Sequence, residues 1–190
     1  MMWNSGRIRA VAERWALLVG VGGMLLLVGG TFFEAGMRLQ KYLFLVGAVA
    51  LGVTAYVNGE RMLTTLQIVI SLGAVLAFFQ HISTWVRLAV LLGPAVFGIG
   101  WLLYLDYRDQ DRWWLIGGAG LVLLAVAFAI SGSNPFVFNA TLALGTGLVL
   151  IYSFVSFYVE GVRLQVVWVV LNAVFVLNPA VNTLSMLGVL

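Results

Sequence analysis

The chain has 190 residues, of which 63% are hydrophobic and 9% charged, with a formal net charge of +3 and no cysteine. Too few polar side chains are present to cover a water-soluble globule, so lipid must be the solvent for most of the surface. The lack of cysteine excludes disulfides, thiolate metal sites and cysteine catalysis, and the basic excess forms no stripe that would track nucleic-acid phosphates.

Arg7, Arg9 and Arg14 precede the first apolar run, Trp15 to Phe33. That run exceeds the ~7 to 15 residues of a signal-peptide core and reads as a retained helix. Further apolar runs follow at Tyr42 to Val57, Met62 to Phe79, Leu88 to Leu105, Trp113 to Ile130 and Phe136 to Val159, with a last one from Leu164 toward the C-terminus. A helix needs roughly 20 residues to cross ~30 Å of hydrocarbon. The expected fold is therefore all-α, an integral membrane protein with about seven transmembrane helices. The second run is short and the sixth long, and an interfacial or re-entrant stretch in either would make the count six or eight.

Short connections hold the charges: Glu34, Arg38 and Lys41; Glu60 and Arg61; His81 to Arg87; Asp106 to Arg112; Glu160 to Arg163. They leave no room for a soluble domain. Seven basic residues fall on the side of the N-terminus (Arg7, Arg9, Arg14, Arg61, Arg108, Arg112, Arg163) and three on the other (Arg38, Lys41, Arg87). The positive-inside bias then places the N-terminus in the cytoplasm and the C-terminus outside a cell (inner) membrane.

Two segments recur. ERWALLVGVGGMLLLV at 13 to 28 matches DRWWLIGGAGLVLLAV at 111 to 126 in half of its positions, and YVNGER at 56 to 61 matches YVEGVR at 158 to 163, with the order preserved. Convergent membrane vocabulary is the plain alternative. A true duplication makes residues 13–82 the first repeat, 84–105 a linker helix and 111–190 the second repeat of one membrane domain spanning 1–190. The single linker helix puts both repeats into the bilayer from the same side, a parallel 3+1+3 plan, and Arg14, Arg112, Arg61 and Arg163 fall on the common side that this demands. The plan resembles that of the SWEET sugar transporters and the related nicotinamide riboside transporters, which pass a small solute between two three-helix bundles. Unlike SWEET proteins, Trp15 to Phe33 and Trp113 to Ile130 contain no proline, and the inferred orientation is opposite, so no binding residue is carried over.

Polar groups at membrane depth are the candidate site, because each is unfavourable in hydrocarbon unless it meets another helix or a wet cavity. Asn139, Thr146 and Ser153 recur every seven residues on one helix face; Thr64, Gln67 and Ser71 share another, and Gln165 and Asn172 a third. These stripes are expected either to line a path, with Gln67, Ser71, Asn139, Thr146, Ser153 and Asn172 binding a small polar solute, or to hold helices together. Asn134-Pro135 has the form of a helix cap and first turn. Pro94 is expected to kink its helix, and Asn178-Pro179 either to kink the last one or to break it at depth.

No catalytic, cofactor or metal constellation is readable. His81 sits at a helix end, Asp106, Asp109 and Asp111 share a loop with Arg108 and Arg112, and Trp15, Trp85, Tyr104, Trp113, Trp114 and Tyr158 suit an interfacial belt. No carboxylate or lysine lies inside any expected span, which disfavours proton coupling. The expected function is non-enzymatic: passive facilitation of a small polar solute, with the accessory subunit of a larger membrane complex as the alternative. The expected partners are the bilayer, the solute, and further copies or other membrane subunits, without nucleic acid.

Overall fold

A computed structural model describes residues 5–30, 32–33, 37–79, 81–106, 113–131, 134–159, 161 and 165–189. Among them the chain forms seven α-helices: α1 (Ser5–Gly30), α2 (Arg38–Val57), α3 (Arg61–Leu76), α4 (Thr84–Asp106), α5 (Trp114–Ile130), α6 (Pro135–Val159) and α7 (Gln165–Met186). Their bounds follow the apolar runs, except that α1 starts ten residues upstream of Trp15. Helix formation there does not require apolar side chains, so a hydropathy scan marks only its apolar part. Four helices are long and apolar enough to cross a membrane: Arg38–Val57, Thr84–Tyr104, Pro135–Val159 and Gln165–Met186. Three shorter apolar helices accompany them, over Arg14–Gly30, Arg61–Leu76 and Trp114–Ile130. Glu34, Gln80, Glu160, Arg163 and the loop carrying Arg108, Asp109, Asp111 and Arg112 lie outside the described residues.

The helix ends are set by local chemistry. Asn134 caps α6, accepting the Val137 N–H on Oδ1 at 3.2 Å, and Pro135 fills the first helical position, where no N–H is needed. α2 ends in a Schellman turn, with Glu60 N–H donating to the Ala55 carbonyl at 2.9 Å and Gly59 N–H to that of Tyr56 at 3.1 Å. Gly59 takes φ of +76° there, and Gly161, which follows α6, takes +71°. A side chain at either would be strained.

Neighbour contacts run α1 to α2 to α3 to α5 to α6 to α7 and back to α1, so six helices close a ring; α4 lies outside it against α3 and α5. Glycines set the closest crossings. A methyl added to Gly23 would lie 2.8 Å from the Gly47 carbonyl oxygen, and one added to Gly120 would lie 2.8 Å from that of Gly145. Backbones this close gain dispersion that larger side chains would prevent. The Thr54 hydroxyl ties α2 to α1 by donating to the Ala16 carbonyl at 2.8 Å. The core between the helices holds fully buried Leu51, Leu63, Leu91, Leu121, Leu124 and Trp168.

Both internal prolines sit within unbroken helices, Pro94 in α4 and Pro179 in α7. The break expected as one outcome at Asn178-Pro179 is absent: α7 runs on to Met186. Pro179 still leaves the Phe175 carbonyl without its backbone donor. The Thr146 hydroxyl of α6 stands 3.4 Å from that carbonyl, while its 2.7 Å bond to the Leu142 carbonyl takes the proton.

Candidate solute cavity

Six helices in a ring leave space at the centre, and a cavity of about 820 Å³ occupies it. This lies in the range of small-molecule sites, roughly 300 to 1,000 Å³. Its walls come from the C-terminal portions of α1, α3, α5 and α7 and the N-terminal portions of α2, α4 and α6, so the lining gathers toward one end of the bundle. The lining positions on α7 (Leu171, Asn172, Phe175, Asn178, Pro179, Asn182) are those on α3 (Leu66, Gln67, Ile70, Gly73, Ala74, Ala77) shifted by 105 residues. From Gln67 to Ala77 the lined stretch of α3 is ~15 Å long.

Gln67, Asn139, Thr146 and Asn172 come from α3, α6 and α7 to line this one cavity, with Asn178 and Pro179 beside them. Their hydrogen bonds differ in a telling way. Asn139 donates through Nδ2 to the Pro135 carbonyl at 2.8 Å, and Asn172 to the Trp168 carbonyl at 2.8 Å, each four residues back on its own helix. Both bonds need a donor, so they fix the amide orientation and leave Oδ1 as an acceptor. Gln67 is 1% exposed, and neither of its amide atoms has a partner. A buried amide in that state lacks about 1–3 kcal/mol of compensation.

Ser71 and Ser153 do not line the cavity. Ser71 is half-buried on α3. Ser153 is fully buried, with its hydroxyl unpartnered; fourteen residues beyond Asn139, it lies ~21 Å along α6 toward the other end. Pro94 is on α4 and also stands apart from the cavity.

The end away from the lining is closed. One turn before Gln67 and Asn172, Leu63 and Trp168 are fully buried in the same apolar cluster. Beyond them, fully buried Gln165 at the start of α7 donates to the Glu60 carboxylate next to α3, at 3.1 Å. Gln165 Oε1, Trp168 Nε1 and Ser153 Oγ are buried there without partners.

The sequence reading missed Gln40, Lys41, Thr84, Arg87, Ser131 and Asn182 as lining residues. Lys41 and Arg87 stand at helix starts, where the sequence marks them only as charges that bear on orientation. Asn182 did carry a signal, falling four residues after Asn178 on the same face, and the two side chains meet at 3.4 Å. Among the described residues no three His, Cys, Asp or Glu side chains cluster as a metal would require. Comparison of the chain with protein-family models, curated proteins and solved structures finds no match.

Proposed function

We propose that the protein is a multi-pass membrane facilitator, two three-helix bundles (α1–α3 and α5–α7) joined by α4 and passing a small polar solute between them. The observation that carries this reading is the meeting of Gln67, Asn139 and Asn172 on one cavity, with Gln67 buried and unpartnered. Residues serving only as packing glue would bond across helices. Asn139 and Asn172 bond backward along their own helices and Gln67 has no partner, whereas Thr54 and Gln165 reach across to other elements. Polar atoms left free along a cavity are what a solute with donors and acceptors would satisfy.

Membrane insertion is supported by large apolar side chains exposed halfway along helices, among them Leu18 of α1, Phe97 of α4, Leu144 of α6 and Leu177 of α7, each more than 60% exposed. Trp85 and Tyr104, at 80% and 79% exposure near the two ends of α4, are ~28 Å apart along the helix, close to a hydrocarbon thickness. The 3+1+3 plan is supported by the matched glycine crossings and by the common lining pattern of α3 and α7. The crossings pair Gly23 with Gly120, one residue off the sequence match, which aligns Gly22. The cavity positions of α3 and α7 are three residues off the Gly-x-Arg match, close to one helical turn, so the same face is kept.

The ends of the cavity support alternating access. Orphaned polar atoms at the closed end would find water if the bundles rocked apart there, so closure leaves them unsatisfied and opening relieves them. No acidic side chain appears in the described lining, which favours passage without a proton relay. With the N-terminus in the cytoplasm, the cavity opens outward. The test is uptake by liposomes holding the purified protein, screened over sugars, nucleosides and vitamins. Saturable uptake lost in Gln67→Leu, Asn139→Leu and Asn172→Leu is the expected result. No uptake of any solute, together with co-purifying membrane partners, would favour the accessory-subunit reading.

A further inference from the structure

Resting on the facilitator reading, we infer that the solute is an organic acid, its carboxylate or phosphate held at the cavity mouth by Lys41 and Arg87 and its far polar end at Gln67. Both cations line the cavity, and no described lining residue is acidic. Arg87 is positioned for this: its Nε donates to the Ile82 carbonyl at 3.2 Å and Nη2 to the Phe79 carbonyl at 3.0 Å. The guanidinium is thereby fixed at the end of α3 with donors to spare, the arrangement that suits a planar or tetrahedral anion. Lys41 lies with its ammonium 5.8 Å from the Phe78 ring centroid, a contact that holds the side chain at the rim without neutralising it.

Placement adds a separate argument. Only Arg38, Lys41 and Arg87 are basic on the sparsely charged side of the chain, where positive-inside bias gives no reason for them. Two of these three line the cavity. Between mouth and floor the walls are mixed: Phe44, Ile70, Phe128, Phe138 and Phe175 alternate with the amides of Asn139 and Asn178. Gln67 at the floor is a neutral amide whose donor and acceptor are both buried without a partner. The cavity thus runs over ~15 Å from a cationic mouth to a neutral floor between aromatic and amide side chains, and an organic anion with an apolar or aromatic body and further polar groups matches that lining.

The test uses the full chain in phosphatidylcholine liposomes and paired probes that differ in charge: uridine 5′-monophosphate with uridine, and indole-3-acetate with indole-3-acetamide. Protein-dependent uptake is measured above that of protein-free vesicles. The acid of at least one pair should enter about tenfold faster than its neutral partner. Lys41→Gln and Lys41→Glu should remove that preference, while Arg87→Lys, which keeps the charge, should retain more of it than Arg87→Gln. Neutral probes carried as fast as the acids would overturn the organic-acid assignment and leave the facilitator standing. Uptake of neither member would end both. A parallel arm adds one-fifth phosphatidylglycerol and follows Arg87→Cys labelling. Protection by that lipid, without acid uptake in phosphatidylcholine, would give the mouth to a lipid headgroup and overturn the solute assignment.

Discussion

The helix pairs α1–α2 and α5–α6 share a glycine crossing, while α3 and α7 differ in what they turn toward the cavity. Gly23 against Gly47 is geometrically the same contact as Gly120 against Gly145, with Leu27 and Leu124 wedged next to each. Along the cavity, however, α3 presents Gly73, Ala74 and Ala77 where α7 presents Asn178, Pro179 and Asn182. The polar density on α7 faces a smooth wall on α3, broken by Gln67. Crossings answer to backbone approach, which few residues satisfy, whereas the lining answers only to what fills the cavity. Side chains facing a void can therefore differ without disturbing the ring.

The largest effect is expected at the closed end, where α7 places Trp168 and α3 places Leu63, both fully buried. Trp168→Ala should cost about 3–5 kcal/mol and make proteoliposomes leaky to the solute; thermal unfolding in detergent and efflux measure the two. Leu63→Ala should cost somewhat less. Next come the crossings. Gly23→Ala and Gly120→Ala should each cost about 1–3 kcal/mol, since a methyl meets backbone atoms, whereas nothing lies within 4 Å of a methyl at Gly22. Gly22→Ala should be neutral or slightly stabilising. A destabilised Gly22→Ala with a tolerant Gly23→Ala would restore the sequence register and break the comparison.

The two linings should respond differently in stability. Gln67→Leu removes an unpartnered buried amide and should raise stability by about 1–3 kcal/mol while abolishing uptake. Asn172→Leu should also stop uptake without that gain, because Asn172 already has its 2.8 Å bond. The smallest loss belongs to Thr54→Val, which gives up the bond to Ala16 and should cost about 1 kcal/mol. Unfolding midpoints compared in one detergent rank all of these.

Helix positions were legible because apolar runs of helical length alternate with short charged connections, and an end such as Asn134-Pro135 carries its own chemistry. Gln67, Asn139, Thr146 and Asn172 were legible as stripes, since heptad spacing assigns a face. That spacing cannot give depth. Ser153 shares a face with Asn139 yet sits near the closed end, and Ser71 falls beside the cavity face of α3. Lys41 and Arg87 were hidden because a charge at a helix start looks the same whether it meets solvent or rims a cavity. The ring of six helices rests on contacts between distant segments, which no local pattern encodes.

The central claim is that lipid surrounds the ring while its centre opens to water on one side, and Leu177 and Asn178 test it at one depth. Both are exposed, Leu177 at 64% on the outer surface and Asn178 toward the cavity. The chain has no cysteine of its own, so Leu177→Cys and Asn178→Cys can each be reacted in liposomes with a charged, impermeant maleimide. The account predicts that Asn178→Cys is labelled, from the mouth side alone, and that Leu177→Cys stays unlabelled from both sides. Equal labelling of the two, or labelling of Leu177→Cys alone, would contradict it.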